Sequence, residues 1–231
     1  MKIAIMGAMP EEITPILEMV GDYATTEYAG NKYYEAKYHG VDLVIAYSKI
    51  GKVFSTLTAT TMCEHFKATK LLFSGVAGAI SPSLRVGDLI VATKLSQHDL
   101  DITAFGHPFG YVPEGSVFVE ADKELISLSK EVALEMGKDI VEGVIATGDQ
   151  FVANEERKNW IGETFGADAL EMEGGSVAVV CDALDVPFFI LRSISDAADM
   201  DASFSFDEFL ETSAVESAQF VMKMVDKIVK S

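Results

Sequence analysis

The stretch VPFFILRSISDAAD, residues 186–199, passes from an apolar run directly into Arg192, Ser195 and Asp196. An apolar run of this length predicts a strand that is buried on both faces and delivers polar side chains at its carboxyl end. Open α/β sheets bind ligands at that end of their strands. Alternatively, Asp196 caps a following helix and Arg192 pairs with any neighbouring carboxylate. The stretch therefore predicts an α/β fold and leaves two interpretations of its polar residues open.

Two further apolar segments also end in acidic residues. The segment ALEMEGGS, residues 169–176, carries Glu171 and Glu173, and the segment MKIAIMGAMPEE, residues 1–12, carries Glu11 and Glu12 after a glycine. Strands that end in carboxylates at one edge of a sheet bring those groups together. The three segments therefore predict one acidic pocket.

Composition restricts the partners of the chain. Its 231 residues include 18 Lys and Arg against 36 Asp and Glu, a formal net charge of −18, which opposes binding to nucleic acid and to anionic membranes. Cys63 and Cys181 are interpreted as buried, reduced side chains, and we recognise neither a signal peptide nor a run of membrane-spanning length. We expect a cytoplasmic protein with a small-molecule partner and one domain over residues 1–231.

Strand and helix patterns alternate along the chain, which predicts an α/β fold: a single three-layer domain whose mixed, mostly parallel sheet is flanked by helices. Residues 70–74 indicate a short strand that enters the glycine-rich turn GVAGA, residues 75–79, where small residues allow close backbone approach. Asp122 is a predicted helix cap, and Ser205 begins a capping-box pattern before a long closing helix. His98 has no second His or Cys at ligand spacing, so it is interpreted as a structural residue and no metal is predicted.

Several short motifs occur in a fixed order over nearly the whole chain. They are GAM with the acidic pair EE (7–12), SGVAG (74–78), GDQF (148–151), EME (171–173), RSISD (192–196) and SFDEF (205–209). Together they resemble the 5′-methylthioadenosine/S-adenosylhomocysteine nucleosidases, a family that includes aminodeoxyfutalosine nucleosidases. The resemblance implies the nucleoside phosphorylase fold, a homodimer, no cofactor, and hydrolysis of the adenine–ribose bond.

The implied substrates are 5′-methylthioadenosine, S-adenosylhomocysteine, 6-amino-6-deoxyfutalosine and 5′-deoxyadenosine. The corresponding roles are methionine salvage, formation of an autoinducer precursor, and menaquinone synthesis. Which of these substrates the cell presents to the protein is left open by the sequence.

The same resemblance assigns roles to individual residues. Asp196 corresponds to the acid that protonates adenine N7, and Glu12 to the residue that activates water, with Arg192 helping to hold that water. Glu173 corresponds to the residue that binds the ribose hydroxyls, and Met172 packs on the sugar. The other implied substrate contacts are Ala8, Met9, Ile50, Ala77, Gly78, Phe151, Val152, Ser195 and Phe206, with Ile102, Phe105 and His107 in a lid shared with a neighbouring subunit.

These assignments are chemically consistent. Breaking an N-glycosidic bond builds positive charge on the ribose and negative charge on the base, which calls for carboxylates near the sugar and an acid near the purine. Asp196 would need a raised pKa to hold its proton, and we expect apolar groups such as Phe151 and Phe206 to enclose it. Val76 stands where some relatives have serine, so a hydroxyl contact to the water is not expected there.

Two alternatives use the same fold. A phosphorylase would replace water by phosphate, but Glu11 and Glu12 occupy the first turn and would repel that anion. A non-catalytic nucleoside-binding protein would be expected to lack the acid or the water activator, whereas Asp196 and Glu12 are both present. Hydrolysis is therefore the preferred interpretation.

Overall fold

The computed structural model describes residues 1–198 and 202–230, with the side chains of residues 202–208 outside that description. The strands are β1 (Lys2–Gly7), β2 (Ala24–Tyr28), β3 (Asn31–Tyr38), β4 (Val41–Tyr47), β5 (Lys70–Ala79), β6 (Leu89–Gln97), β7 (Val119–Glu120), β8 (Ile140–Thr147), β9 (Ala169–Glu171) and β10 (Phe188–Asp196). The helices are α1 (Pro10–Val20), α2 (Lys52–Thr60), α3 (Lys123–Met136), α4 (Glu155–Phe165), α5 (Gly174–Ala183) and α6 (Ala202–Lys230).

The strands form one mixed sheet in the order β10, β6, β8, β9, β5, β1, β4, β3, β2, and β7 pairs with β6. Strand β10 also pairs with β5, so β10, β6, β8, β9 and β5 form a closed ring. Strand β5 is parallel to β1 and β10, whereas β10 is antiparallel to β6. The predicted α/β fold class with a mixed sheet is confirmed.

The apolar run that precedes Asp196 has a simple structural cause. Strand β10 is paired on both sides, and each of its nine residues is buried, so alternation between apolar and polar side chains would be costly. The Asp122 carboxylate accepts a hydrogen bond from the Leu125 amide at 2.8 Å, which confirms the predicted cap of α3.

Two local predictions need correction, and one strand was not predicted. Strand β5 does not end at Ser74 but runs on to Ala79, so the glycine-rich segment is strand rather than turn. Strand β2 was not predicted from the sequence. Helix α6 begins at Ala202, which places Ser205 inside the helix instead of at its cap.

The helices pack in two groups that cover the sheet. Helix α6 contacts α1, α3 and strands β5 and β10, while α2 contacts α5 and continues into a π-helical turn, Thr61–His65. Cys63 in that turn and Cys181 in α5 are buried and free, as interpreted from the sequence. Within the described residues, the helices lack any stretch long and apolar enough to cross a membrane.

Candidate active site

A cavity of about 90 Å³ lies at the carboxyl ends of β1, β5, β9 and β10. The carboxylates of Glu12, Glu171, Glu173 and Asp196 meet at its wall, which confirms the predicted acidic pocket. The other lining residues are Ala8, Met9, Ile50, Val76, Ala77, Gly78, Gln150, Phe151, Val152, Leu170, Met172 and Ser195.

Glu12 lies in the first turn of α1 and is held by three backbone amides. Its Oε2 atom accepts hydrogen bonds from Ala8 at 2.5 Å and Met9 at 3.1 Å, and its Oε1 atom accepts one from Val76 at 3.2 Å. Burial raises the pKa of Glu12, although the Arg192 charge and the three amides oppose the rise. Glu12 is therefore a fixed carboxylate with greater proton affinity than in water.

Glu171 and Glu173 follow β9 and perform different tasks. Glu171 Oε2 accepts hydrogen bonds from the amides of Glu173 and Gly174, at 3.1 and 2.7 Å, and therefore fixes the start of α5. Glu171 Oε1 accepts a short hydrogen bond from the Thr147 hydroxyl. Because these contacts occupy both of its oxygens, Glu171 has a structural role, which was one of the interpretations left open by the sequence.

Glu173 keeps more of its carboxylate available to the cavity. Its Oε1 atom accepts a hydrogen bond from the Gly51 amide at 2.7 Å. Burial raises the pKa of Glu173 to about 8, and the neighbouring Glu171 charge adds to the rise. A group with this pKa is largely protonated at neutral pH, and it can ionise when a positive charge approaches.

Asp196 ends β10 and is almost completely buried. Its Oδ2 atom accepts a hydrogen bond from the Ser195 hydroxyl, and its Oδ1 atom accepts one from the Ala198 amide, both at 2.8 Å. Ser195 therefore orients one carboxylate oxygen, while the turn after the strand orients the other.

Two glycines of β5 make room for these carboxylates. A Cβ atom built on Gly75 would lie 2.6 Å from Glu12 Oε1, and one on Gly78 would lie 2.8 Å from Asp196 Oδ1. Both distances are shorter than real Cβ contacts. The close backbone approach expected from the glycine-rich segment is therefore present, and the groups that approach are the two carboxylates.

The sequence-derived residues fall into two sets. Those that line the cavity are Glu12, Glu173, Asp196, Ser195, Met172, Phe151, Val152, Ile50, Met9, Ala8, Ala77 and Gly78. Arg192 lies outside the lining: its Nη2 atom donates a hydrogen bond to Glu171 Oε2 at 2.8 Å, and its guanidinium stacks on the Phe73 ring. Arg192 therefore forms a buried ion pair with a neighbouring carboxylate, one of the two interpretations of this residue, and its role at the attacking water stays a prediction.

The expected lid does not reach the cavity of its own chain. Ile102, Phe105 and His107 lie in the segment between β6 and β7 and are absent from the lining, and Phe105 is 81% exposed. His107 stacks on Tyr111, with 4.5 Å between ring centroids. The Phe206 side chain lies outside the described residues.

Besides Glu171, sequence reasoning left three lining residues without a role toward substrate: Val76, Gln150 and Leu170. Gln150 stands inside the GDQF motif and could have been found there. Leu170 lies within an apolar strand, where the sequence gives no indication that one side chain faces a cavity. Among the described residues of the lining there is no Arg, Lys or His.

The fold and the acidic cavity agree with comparisons to known proteins. The model of the phosphorylase superfamily matches residues 2–229, and the chain belongs to that superfamily. The aminodeoxyfutalosine nucleosidase of Campylobacter jejuni is 58% identical over 99% of this chain and 100% of its own length. A 5′-methylthioadenosine/S-adenosylhomocysteine nucleosidase of Exiguobacterium sp. is 37% identical over 99% of each chain.

A solved structure gives the same result. A Helicobacter pylori nucleosidase mutant with 5′-methylthioadenosine in its active site has a TM-score of 0.96 and 52% identity, with 98% of both chains covered. Within the superfamily, the chain therefore belongs to the aminodeoxyfutalosine and 5′-methylthioadenosine/S-adenosylhomocysteine nucleosidases. The resemblance based on the motifs is confirmed.

Proposed function

We propose that this protein hydrolyses the N-glycosidic bond of 5′-methylthioadenosine, S-adenosylhomocysteine and 6-amino-6-deoxyfutalosine, and that 5′-deoxyadenosine is a further substrate. Water adds to ribose C1′, the C1′–N9 bond breaks, and free adenine and a 5-substituted ribose leave. The observation that carries this proposal is the meeting of Glu12, Glu173 and Asp196 in one buried cavity. The names of the similar nucleosidases support it.

At the base, Asp196 is the proton donor. In our proposal it protonates adenine N7, so that electrons from the breaking bond are accepted by a neutral leaving group. The Ser195 hydroxyl at 2.8 Å holds the carboxyl group in position. Phe151 and Val152 lie in the same lining and are suited to contact the purine.

At the sugar, Glu12 and Glu173 act on the cationic side of the transition state. Glu12 accepts the proton of the attacking water, and its raised pKa favours that transfer. Glu173 contacts the ribose hydroxyls and stabilises the positive charge that develops on the ring. Basic side chains are absent from the described lining, which favours water over phosphate as the nucleophile.

Adenine release without phosphate tests the reaction class. The purified protein is incubated with each proposed nucleoside in phosphate-free buffer, and free adenine and the sugar product are measured. We expect adenine and a free 5-substituted ribose at a rate that added phosphate does not change. A strict phosphate requirement with a ribose-1-phosphate product would establish the phosphorylase alternative instead.

The variant Asp196→Asn tests the acid. The amide has the shape of the carboxyl group but cannot supply the same proton, so we expect a loss of at least about 100-fold in kcat with nucleoside binding retained. Asp101→Asn is the matched control, because Asp101 is exposed and bonds only to Thr103 among the contacts described. Undiminished turnover of Asp196→Asn would remove Asp196 from this role, and loss of binding together with turnover would favour a purely structural role.

The 5′ end of the cavity predicts selectivity. Met9, Ile50 and Met172 are apolar lining residues, and in our proposal they form the wall that contacts the 5′ group. A buried methyl or methylene group contributes roughly 1 kcal/mol. That energy gives 5′-methylthioadenosine about a fivefold advantage over adenosine in kcat/KM. Competition between the two nucleosides measures the ratio, and equal rates would show that this wall does not discriminate.

We further propose that the protein is a homodimer in the cytoplasm. Helix α2 presents an exposed apolar face, Val53, Phe54 and Leu57, and Val53 is 75% exposed. Large exposed apolar patches favour protein association, and the face begins three residues after the cavity residue Ile50. A second copy on this face would bring another chain close to the cavity mouth. The two free, buried cysteines are typical of a reducing compartment.

The variant Val53→Glu tests the proposed interface. Leu134→Glu is the control, since Leu134 is a similarly exposed apolar residue, 82%, on α3. We expect Val53→Glu to halve the mass measured by light scattering and to lower kcat/KM, while Leu134→Glu keeps the parental mass. A dimer that persists in Val53→Glu places the interface elsewhere, and a parental chain that is monomeric refutes the dimer.

A further inference from the structure

A closed ring of hydrogen bonds joins three segments beside the cavity. The Lys52 ammonium, at the start of α2, donates to Asp99 Oδ1 at 2.6 Å. The other oxygen of Asp99, after β6, accepts from the Asp149 amide at 2.8 Å. The Asp149 carboxylate, after β8, accepts from the Lys52 amide at 2.7 Å. Each of the three residues is thus bonded to both of the others.

The ring lies next to the cavity on two sides. Gly51 immediately precedes Lys52, and its amide donates to Glu173 Oε1 at 2.7 Å. Residues 150–152 immediately follow Asp149 and line the cavity. A displacement of the ring would therefore change the distance between the Glu173 carboxylate and the segment 150–152.

Asp99 is the member that holds the ring together electrostatically. Partial burial alone would raise its pKa, but the Lys52 ammonium and the Asp149 amide lower it below the ordinary value. Lys52 also donates to the Gln97 side chain at 3.2 Å, which fixes the ammonium on the same side. Neither Lys52 nor Asp99 lines the cavity.

His98 precedes Asp99 in the chain and packs against the residue before Asp149. Its backbone amide donates to the Thr147 carbonyl at 2.8 Å, and its ring packs so closely on Gly148 that an added Cβ atom would lie 2.4 Å from Nε2. Burial lowers the pKa of His98 to about 4, with the neighbouring Arg157 charge adding to the effect. A neutral imidazole is therefore packed against Gly148, the residue before segment 149–152.

We propose that Asp99 and Lys52 are positioning residues for adenine: the ring sets the segment 149–152 at the correct distance from Glu173. This inference rests on the proposed function, because it assumes that residues 150–152 contact the base and Glu173 the sugar. The side chains act on substrate affinity through the backbone and touch no reacting atom. Their loss should accordingly raise KM and leave kcat almost unchanged.

The variant Asp99→Asn tests the ring directly. Asparagine offers one acceptor oxygen, so it cannot bond both the ammonium and the Asp149 amide. We expect KM for 5′-methylthioadenosine and the Kd for adenine, measured by calorimetry, each to rise roughly tenfold, the size of one charge-assisted hydrogen bond, while kcat changes less than threefold. Asp101→Asn is the control for charge loss two residues away. Adenine release by the parental protein is measured separately, so failure of the proposed function is distinguished from failure of the ring.

The partner variants complete the test. Lys52→Met should reproduce the effect of Asp99→Asn. The double variant should bind adenine no more weakly than the weaker-binding single variant, because both changes break the same ring. Lys52→Arg, which keeps a cation, should restore most of the affinity. Changes below twofold in both KM and adenine Kd would overturn the proposal. The proposal would also be overturned if the increases in Kd of the two single variants multiplied in the double variant. The same holds if the variants lowered only the melting temperature.

Discussion

Replacing Gly75 by alanine should disable the proposed base without altering the fold. The added Cβ atom would lie 2.6 Å from Glu12 Oε1 and 3.1 Å from the carboxyl carbon. To reach an ordinary van der Waals distance of 3.4 Å, the Glu12 oxygen must retreat by about 0.8 Å. Its bond to the Val76 amide is already 3.2 Å long, so this retreat would break it.

The expected loss follows from that displacement. A misplacement of about 1 Å in a reacting group can cost about 100-fold in rate, and we expect kcat/KM for adenine release to fall by about that factor. Stability should change little, because alanine loses less backbone entropy on folding than glycine, roughly 0.4 to 1 kcal/mol, and this offsets part of the steric cost. Initial rates of adenine release and the melting temperature are the two measurements.

Two further variants make the result specific. Ser74→Ala alters the preceding buried residue of β5, whose hydroxyl has no hydrogen-bond partner among the described contacts, and should keep parental activity. Adding Gly75→Ala to Glu12→Gln should cause little further loss, since the displaced carboxylate is already absent. A Gly75→Ala protein within threefold of parental kcat/KM would refute the expected displacement of Glu12. So would a double variant in which the losses of kcat/KM caused by Gly75→Ala and Glu12→Gln multiply fully.

Other predictions concern the buried charges. Arg192→Met leaves the buried Glu171 carboxylate without its partner charge and should destabilise the fold by about 3–5 kcal/mol. Adding Glu171→Gln should recover much of that lost stability in a denaturant titration. No recovery would contradict the pairing. Because the pKa of Glu173 rises from 4.5 to about 8 on folding, its contribution to stability is fully present below pH 4.5 and is lost as the pH rises to 8. Glu173→Gln should therefore match the parental melting temperature in acid and exceed it near pH 8, and a constant difference across this range would argue against the raised pKa.

The parts of the fold that the sequence predicted are those with a local cause. The apolar run before Asp196 indicated a strand buried on both sides, and the cap at Asp122 indicated the start of α3. Strand β2 was missed because nearly all of its residues are exposed at the edge of the sheet, so it has no apolar face to detect. The glycines of β5 suggested a turn because glycine is rare in strands; packing against Glu12 and Asp196 is what requires them there.

The site was predictable to a similar degree. Carboxylates at strand ends follow from sequence order, so Glu12, Glu173 and Asp196 could be found. The partner of Arg192 could not, because sequence alone does not choose between Glu12 and Glu171 as neighbours of a buried guanidinium. The lid residues were named by resemblance, and their action across a subunit boundary stays a prediction.

The pairing of β10 on both sides has a consequence for which parts of the site can adapt. Residues 191–193 of β10 have a paired strand on each side and open only when those strands open, and Ser195 and Asp196 follow directly after this part of the strand. Ile50 and Phe151, by contrast, lie on connecting segments and are half exposed. In the proposed reaction the strand can therefore keep Asp196 in one position, while the segment that carries Ile50 can adapt to 5′ groups of different size.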